Sequence, residues 1–483
     1  MAEKHAGLSV WHMTMMALGT VVGGSFFLGS AIAIRTAGPA ILLSFILGGV
    51  LVYIILSALS EMTVSNPTAG SFRTHAENMY GPAAGFIIGW VYWTGLTLAM
   101  SSEATAASVF IRSWIPGVSL PVMAITIVIA VTLVNLVGAR TLSNLESGLA
   151  FIKLAAIAGF IVIAVALVLG LFPGRAPVGF GVVPAEPLFP AGLAGIAGSM
   201  LIVMFSYAGF EVIGLAASEA GDPHRTVPRA IKFTIVGLVA LYCLAISLLL
   251  PLVRTAGLKE TVSPLVAGLT SAGLGWAGGV INAVLVTAIL STMLAAMFGM
   301  GRMIRSLAEV GYAPLWLKEN REIPVRGILF SGTGMLAGVI LAFLLPKQIY
   351  LFLVSSGGFS LLFTYVIIMA THYKYRKVHG CPPKGNCQLW GYPYTTILGL
   401  MSLIAVIISM PLIPGQGSGL LAGLFLVGMY VLLYIVFKAK FTERAGLRMA
   451  RALPLLDMEA SEDLSPEQKE NSNCKKGEPK ERS

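Results

Sequence analysis

The chain consists mostly of long apolar stretches, and their length restricts its fold more than any other feature. A helix of about 20 apolar residues crosses a bilayer core about 30 Å thick. Stretches of this kind fall at residues 11–34, 37–60, 83–110, 119–139, 147–171, 191–216, 229–252, 275–300, 327–345, 349–371, 393–413 and 418–437. The pattern predicts an all-α membrane protein with twelve transmembrane helices, because helices satisfy their own backbone hydrogen bonds in lipid.

The composition agrees with a chain whose solvent is lipid. Hydrophobic residues make up 56% of the 483 residues and charged residues only 11%, against about 25% charged residues in soluble domains. The net charge is +10, but the basic residues are spread over loops and the C-terminal tail, so we expect no nucleic-acid partner. With a cytoplasmic N-terminus, 25 Lys and Arg residues lie inside and 6 outside, which predicts that both termini are cytoplasmic.

Three segments of the chain carry different expectations. Residues 1–10 should form a cytoplasmic N-terminus, residues 11–437 the transmembrane domain, and residues 438–483 a cytoplasmic tail. That tail should be largely disordered from about residue 457, where Glu, Lys and Ser dominate. Cys381 and Cys387 lie in one predicted cytoplasmic loop without the spacing of a zinc site. We therefore expect reduced thiols there, and neither a metal nor a cofactor in the protein.

Two of the predicted helices are interrupted at mid-membrane depth. The first contains adjacent glycines and a serine in GTVVGGSFF, and the sixth contains FSYAGFE at residues 205–211. Irregular backbone at this depth is tolerated where it lines a cavity. Close packing of helices through small residues is the alternative explanation. Interruptions at corresponding positions five helices apart nevertheless favour a transporter site between two repeats.

The ends of such broken helices attract a zwitterionic ligand, because free N–H groups attract an anion and free carbonyls a cation. The amides around Gly23 to Ser25 would hold the carboxylate of an amino acid, and carbonyls of both breaks its ammonium. An aromatic side chain, Phe205 or Phe210, could close over the substrate as a gate. The predicted substrate-binding residues of the two breaks are Val21, Val22, Gly23, Gly24, Ser25, Phe205, Ser206, Tyr207, Ala208 and Phe210.

An ordered series of motifs along residues 8–437 resembles one family. The series reads GTVVGGSFFLGS, AGPA, LSEM, PTAGSF, GWVYW, the Glu103 helix, FSYAGFE, SEAGDPHRTVPRAI and GRMIRSLAEVGYAP. It resembles the bacterial amino acid permeases of the amino acid–polyamine–organocation superfamily. The resemblance implies a leucine-transporter-like fold with two inverted five-helix repeats, at about 11–171 and 191–371, and discontinuous helices 1 and 6. Two extra helices would occupy 393–437.

The chain departs from the family pattern at two positions. Ser25 stands where the first motif often has a glycine, and Leu294-Ala295 stands where the eighth helix often carries an Asn-Ser pair. We include Met293 and Leu294 among the predicted substrate-binding residues. If they face the site, they make it more apolar and favour a neutral aliphatic amino acid. Leu294 could instead face lipid or a neighbouring helix.

Charged residues inside predicted spans are functional candidates, since each costs about 2.5–3.5 kcal/mol to insert. Lys153 lies in the fifth span, where burial disfavours its charged form. In relatives that this chain resembles, a lysine here replaces a bound sodium ion, which implies proton coupling with Glu103 and Glu211 as possible partners. The alternative is that Lys153 reaches the cytoplasmic interface through its long stem. Glu61 and Glu146 lie at helix ends and are interpreted as structural.

Taken together, these patterns predict a plasma-membrane (inner-membrane) secondary transporter that imports a neutral aliphatic amino acid by proton symport and alternating access. An enzyme is disfavoured, because the sequence lacks HExxH, a phosphate loop and a convincing Ser/His/Asp set. A channel is also disfavoured, because it would need a continuous pore lined by polar rings, whereas the two breaks suggest one occluded site. Amino acid exchange, or transport of a polyamine or nucleobase, stays an alternative. The sequence does not determine the oligomeric state.

Overall fold

The computed structural model describes most of the transmembrane region in residue detail. The described residues are 9–65, 70–112, 114–137, 139–172, 176–211, 213–214, 220–259, 262–319, 321, 323–345, 347–381, 387–412 and 417–438. Within them the chain is helical and forms no β-strand. The tail predicted to be disordered lies outside the described residues.

The α-helices are numbered here in chain order. They are α1 Val10–Val21, α2 Ser30–Ala37, α3 Ile41–Ser65, α4 Phe72–Tyr80, α5 Pro82–Arg112, α6 Leu120–Leu136, α7 Ala139–Leu169, α8 Gly192–Ser206, α9 Pro223–Leu249, α10 Pro264–Ser271, α11 Trp276–Glu309, α12 Val325–Leu344, α13 Lys347–His379, α14 Tyr394–Ser409 and α15 Gly417–Lys438. A π-helix at Ser25–Gly29 connects α1 to α2. A helix therefore lies in each of the twelve apolar stretches.

Seven segments of the described residues are long and apolar enough to cross a membrane. They are Ser25–Ser65, Pro82–Arg112, Leu145–Leu169, Pro223–Leu252, Gly278–Glu309, Val325–Leu344 and Gly417–Lys438. Three further apolar helices, α6, α8 and α14, are shorter. In its described residues the chain is thus an all-helical, multi-pass protein, while the count of twelve spans and the inverted repeat stay predictions.

Helix α5 lies at the centre of the packing and contacts α4, α6, α11, α12 and α13. Its approach to α13 is close because small residues face each other. A Cβ atom on Gly95 would lie 2.3 Å from Ser360 Cβ, and one on Gly357 would lie 2.9 Å from the Gly95 carbonyl oxygen. Any larger residue would push the two helices apart. This contact determines how near α13 comes to the centre of the molecule.

The chain leaves the helical conformation at both glycine-bearing stretches. Helix α1 ends at Val21, and Val22 is extended, with its N–H donating to the Leu18 carbonyl at 3.0 Å. Helix α8 ends at Ser206, and Gly209 in the following turn has φ +104°. A Cβ atom on Gly209 would lie 3.1 Å from the Thr20 carbonyl oxygen. The two breaks therefore touch, and both the backbone angle and this contact require glycine.

Candidate functional site

A cavity lies where the two breaks meet α5, α11 and α13. Small and apolar side chains form most of its wall, with two carboxylates and a few hydroxyls among them. The lining residues are Thr20, Val21, Ser25, Tyr92, Gly95, Leu96, Ala99, Met100, Glu103, Phe205, Ala208, Gly209, Glu211, Thr292, Ala295, Ala296, Gly299, Gly357, Ser360 and Leu361. Five separate segments of the chain therefore line one site.

The cavity brings together six of the residues predicted from the sequence. They are Val21, Ser25, Glu103, Phe205, Ala208 and Glu211. The other nine lie outside the lining: Val22, Gly23, Gly24, Lys153, Ser206, Tyr207, Phe210, Met293 and Leu294. Most of these nine residues lie next to the lining residues, outside the cavity, and the contacts described below connect them to the wall.

Gly23 and Gly24 allow two polar side chains to approach the first break. A Cβ atom on Gly23 would lie 2.7 Å from Thr292 Oγ1, and one on Gly24 would lie 2.5 Å from Glu103 Oε2. Both polar side chains line the cavity. The paired glycines thus place α5 and α11 directly against the backbone of the break.

Buried side chains hold the second break by hydrogen bonds to the first break, to α3 and to α9. The Ser206 hydroxyl donates to the Ser25 carbonyl at 3.4 Å and to the Ile202 carbonyl at 3.0 Å. The Tyr242 hydroxyl donates to the Ser206 carbonyl at 3.2 Å. Tyr207 is fully buried and donates to the Phe45 carbonyl at 3.0 Å. Ser206 and Tyr207 therefore hold the shape of the break from outside the lining.

Glu211 is bound by three hydrogen-bond donors from three parts of the chain. The Tyr92 hydroxyl on α5 donates to Oε1, while the Tyr365 hydroxyl on α13 and the Gly209 N–H donate to Oε2, each at 3.1 Å. The side chain is nearly fully buried. Phe210, predicted as a gate, stacks on the Tyr365 ring with 4.8 Å between ring centroids. Glu211 thus ties the second break to both α5 and α13.

Lys153 lies behind the first break, and its side chain is completely buried. Its Nζ donates to the Gly19 carbonyl of α1 at 2.5 Å. The Lys153 side chain also interacts electrostatically with Glu146 and Glu103. Because no part of the side chain is exposed, the alternative in which the lysine reaches the interface does not describe this structure.

Helix α11 turns a different face to the cavity than the sequence suggested. Met293 and Leu294 are buried against other helices, with 0% and 6% exposure. The lining is formed instead by Thr292, Ala295, Ala296 and Gly299. These four positions share one face of a helix, at i, i+3, i+4 and i+7. Leu294 faces neighbouring helices, one of the two alternatives expected for it.

Apart from Glu103, sequence reasoning also missed the walls that α5 and α13 contribute. Tyr92, Leu96 and Met100 come from α5, and Gly357 and Ser360 from α13. The stretch around Gly357 and Ser360 does carry a signal, since it places glycines and serines inside an apolar helix. Tyr92 and Leu96 carry no such signal, because aromatic and aliphatic residues also face lipid in membrane helices.

The expectation of reduced thiols at Cys381 and Cys387 is contradicted. The two residues form a disulfide with 5.4 Å between their Cα atoms, a separation typical of such bonds. The chain reverses direction after α13 and brings together two residues that the sequence places in a short loop. Among the described residues, no group of three or more His, Cys, Asp or Glu side chains could hold a metal ion.

Comparisons with known proteins identify the family and the relatives of this chain. The family model for amino acid permeases matches residues 12–447. The chain is 30% identical over 445 residues to the gamma-aminobutyric acid permease of Bacillus subtilis, covering 91% of this chain and 95% of the relative. It is 31% identical to the aromatic amino acid transport protein AroP of Corynebacterium glutamicum, covering 84% of this chain and 89% of the relative.

A third relative is the gamma-aminobutyric acid permease of Escherichia coli, which is 31% identical over 431 residues, covering 87% of this chain and 92% of the relative. The family and these relatives are transporters rather than enzymes. The match extends over all the elements that form the cavity. The chain is therefore an amino acid transporter that belongs to the amino acid permease family.

Proposed function

We propose that the chain imports a neutral aliphatic amino acid across the plasma membrane by proton symport, with alternating access to the cavity. Both termini face the cytoplasm in this proposal, as the distribution of Lys and Arg favours. The single observation that carries the coupling is Lys153, whose side chain has no solvent exposure and whose Nζ lies 2.5 Å from the Gly19 carbonyl oxygen.

The charge of Lys153 affects α1 directly, because Lys153 Nζ donates a hydrogen bond to the Gly19 carbonyl of that helix. A charge-assisted hydrogen bond is about twice as strong as a neutral one, so protonation strengthens the contact between α7 and the carbonyl just before the first break. Glu103 connects this contact to the substrate, because it lines the cavity and interacts electrostatically with Lys153. A proton and a substrate that bind from outside would therefore stabilise the same arrangement of α1.

The substrate lies between the two breaks in this proposal. Its carboxylate meets the backbone amides of Gly23 to Ser25, and its ammonium meets the carbonyl groups of Val21 and Phe205 together with Glu103. The side chain points toward α5 and α11, where Leu96, Met100 and Ala296 offer an apolar surface. A surface of this kind favours an aliphatic side chain over a charged one.

Glu211 serves as a gate in this proposal and not as the ammonium site. Its carboxylate already accepts three hydrogen bonds, which leaves little capacity for a substrate ammonium. With the termini inside, the chain after Ser206 lies on the cytoplasmic side of the cavity. The contacts of Glu211 with Tyr92 and Tyr365 then close that side and must break for release.

The test is uptake into proteoliposomes with an imposed inward proton gradient, using a panel of radiolabelled amino acids. Lys153→Ala should lower gradient-driven uptake at least about tenfold while substrate binding persists, because it removes the buried ammonium and leaves the cavity wall intact. Lys232→Ala is the matched control, since this lysine is exposed on α9, and it should transport like the wild type.

Two results would count against the proposal. Gradient-dependent uptake by Lys153→Ala at the wild-type level would remove the coupling role of the lysine. A folded wild-type protein that accumulates no amino acid would argue against import and for exchange or another solute.

Gamma-aminobutyrate is a second candidate substrate, because two of the relatives are named as permeases of this compound. Its ammonium lies farther from its carboxylate than in an α-amino acid, so it would need an acceptor deeper in the cavity. Glu103, on the α5 wall, would then receive this ammonium alone, without the carbonyl groups of Val21 and Phe205 that an α-amino group also meets. The same uptake panel separates the two candidates, since an aliphatic substrate predicts that leucine competes and gamma-aminobutyrate does not.

A further inference from the structure

A buried cluster of charges lies apart from the cavity, where α3 meets the end of α13. Glu61 Oε1 lies 3.0 Å from Arg376 Nε and 3.3 Å from His372 Nε2, and the three side chains are 0%, 7% and 0% exposed. The contact with Arg376 is ionic, since its Nε makes no hydrogen bond. Buried charges of this kind are stable only when all their partners are in place.

The chain that follows α13 completes this cluster. Glu61 Oε2 accepts hydrogen bonds from the Gln388 N–H at 3.1 Å and the Leu389 N–H at 3.3 Å. Arg376 Nη2 donates to the Leu389 carbonyl at 3.3 Å. The backbone at 388–389 is therefore held by both members of the buried ion pair.

The same guanidinium contacts the cysteine pair. Arg376 Nη1 lies 2.8 Å from Cys387 Sγ and also contacts Cys381 Sγ. Both cysteines are exposed, so small molecules in solution can reach the sulfur atoms. An adjacent arginine favours the thiolate form of cysteine, and the thiolate is the form that reacts with disulfides.

We propose that Cys381 and Cys387 are a reversible thiol–disulfide modification site and that Arg376 transmits its state to Glu61. The oxidant is a low-molecular-weight disulfide such as oxidised glutathione. The thiolate of one cysteine attacks it, forms a mixed disulfide and releases one thiolate. The second cysteine, as a thiolate, attacks the mixed disulfide and releases another. The two departing thiolates take up the two protons lost by the cysteines, so that one disulfide is reduced and one is formed.

The state of the sulfur atoms changes what Arg376 can offer to Glu61. In the disulfide the sulfurs are neutral, and the guanidinium charge serves Glu61 alone. After reduction, a thiolate competes for the same guanidinium, and the tie between Cys381 and the segment at 388–389 is lost. Reduction should therefore loosen the contacts of Glu61 with Gln388 and Leu389.

The location of the cysteine pair would expose this thiol–disulfide exchange to the redox state of the cytoplasm. The loop is cytoplasmic in the orientation proposed above, and cytosolic disulfides are normally transient and sensitive to the redox state. Helix α13, which carries Arg376, also lines the cavity through Gly357 and Ser360. The redox state of the cytoplasm could thereby act on the transporter through α13.

The experiment uses the full-length protein in proteoliposomes, treated with either oxidised glutathione or dithiothreitol. Peptide mass spectrometry should find the Cys381–Cys387 disulfide after the first treatment and two thiols after the second. Hydrogen exchange at Gln388 and Leu389 should be about tenfold faster after reduction, since hydrogen bonds to a charged acceptor are weakened. Cys243→Ser, which removes the free cysteine of α9, should keep both differences, and Cys381→Ser should abolish them.

Arg376→Lys separates transmission from disulfide formation. Lysine keeps the charge but lacks the planar fork that reaches both partners, so the disulfide should form while exchange at 388–389 no longer follows it. A pair that stays reduced in oxidised glutathione, or identical exchange rates in both states of the wild type, would overturn the proposal. Neither readout depends on transport, so the proposal can fail or stand independently of the proposed substrate and coupling.

An impermeant maleimide tests the cytoplasmic location. The reduced pair should be labelled in inverted membrane vesicles and protected in right-side-out vesicles. Labelling only in right-side-out vesicles would place the loop outside, where the disulfide would be a permanent structural bond, and would overturn the proposal.

Discussion

Gly24→Ala tests whether the approach of Glu103 to the first break is required for transport. The backbone at Gly24 has φ −57° and ψ −30°, which alanine adopts without strain. The added methyl group, however, would lie 2.5 Å from Glu103 Oε2 and 2.9 Å from Ile289 Cγ1. The substitution therefore acts through contact with these two side chains and not through backbone conformation.

The size of the effect follows from the overlap. Ordinary contacts of a Cβ atom begin at 3.4 Å, so the Glu103 carboxylate must retreat by about 1 Å. A misplacement of about 1 Å in a functional group can lower a rate by about 10²-fold. The folded state should suffer less, since overpacking typically costs about 1–3 kcal/mol and the end of a glutamate side chain can move.

The assay compares Gly24→Ala with Gly29→Ala in the proteoliposome uptake experiment and in thermal unfolding in detergent. Gly29 has nearly the same backbone angles, φ −61° and ψ −29°, but its Cβ would lie 3.7 Å from Ile202. Gly24→Ala should lower gradient-driven uptake by about ten- to a hundredfold, while Gly29→Ala should behave like the wild type. Normal uptake by Gly24→Ala, or an equal loss in both variants, would refute the reasoning.

Further substitutions test the gate and the cavity wall. Tyr92→Phe and Tyr365→Phe each remove one donor from Glu211, and since such a bond contributes about 1.5–3 kcal/mol, efflux of preloaded substrate without a gradient should be about tenfold faster; unchanged efflux from both would argue against the gate. Ala296→Leu narrows the cavity, so the KM for a large amino acid should rise more than that for alanine. Met293→Leu lies outside the lining and conserves volume, so it should leave the ratio of these KM values unchanged.

The sequence predicted the two breaks because their cause is local. Gly23 and Gly24 lower the helix propensity in the middle of an otherwise apolar span. In the second break, Gly209 has the positive φ that requires a glycine. The sequence also indicated Lys153 as a functional candidate, since a lone lysine in an apolar span must either find buried partners or reach the interface. These features depend on the residue and its immediate neighbours.

The orientation of α11 could not be predicted for the opposite reason. Met293, Leu294, Ala295 and Ala296 are all apolar, so no side of the helix is marked as the one that faces the cavity. In a membrane protein both lipid and neighbouring helices accept apolar residues. Hydrophobic periodicity therefore does not indicate which face of α11 lines the cavity. The disulfide was missed similarly, because the reversal of the chain after α13 is a tertiary feature.

The two mid-membrane carboxylates illustrate what only the tertiary structure could separate. Glu103 and Glu211 look alike in the sequence, each a single acid within an apolar segment. In the structure both reach the cavity, but Glu211 is occupied by three donors, whereas Glu103 lies against Gly24 and interacts with Lys153. A carboxylate that binds a substrate ammonium and interacts with a lysine must have free hydrogen-bonding capacity. A carboxylate that holds a gate closed must use its capacity for the gate contacts. We therefore propose that Glu103 takes part in coupling and Glu211 in closure, so that Glu103→Gln should abolish the response to the proton gradient while Glu211→Gln should chiefly increase leakage.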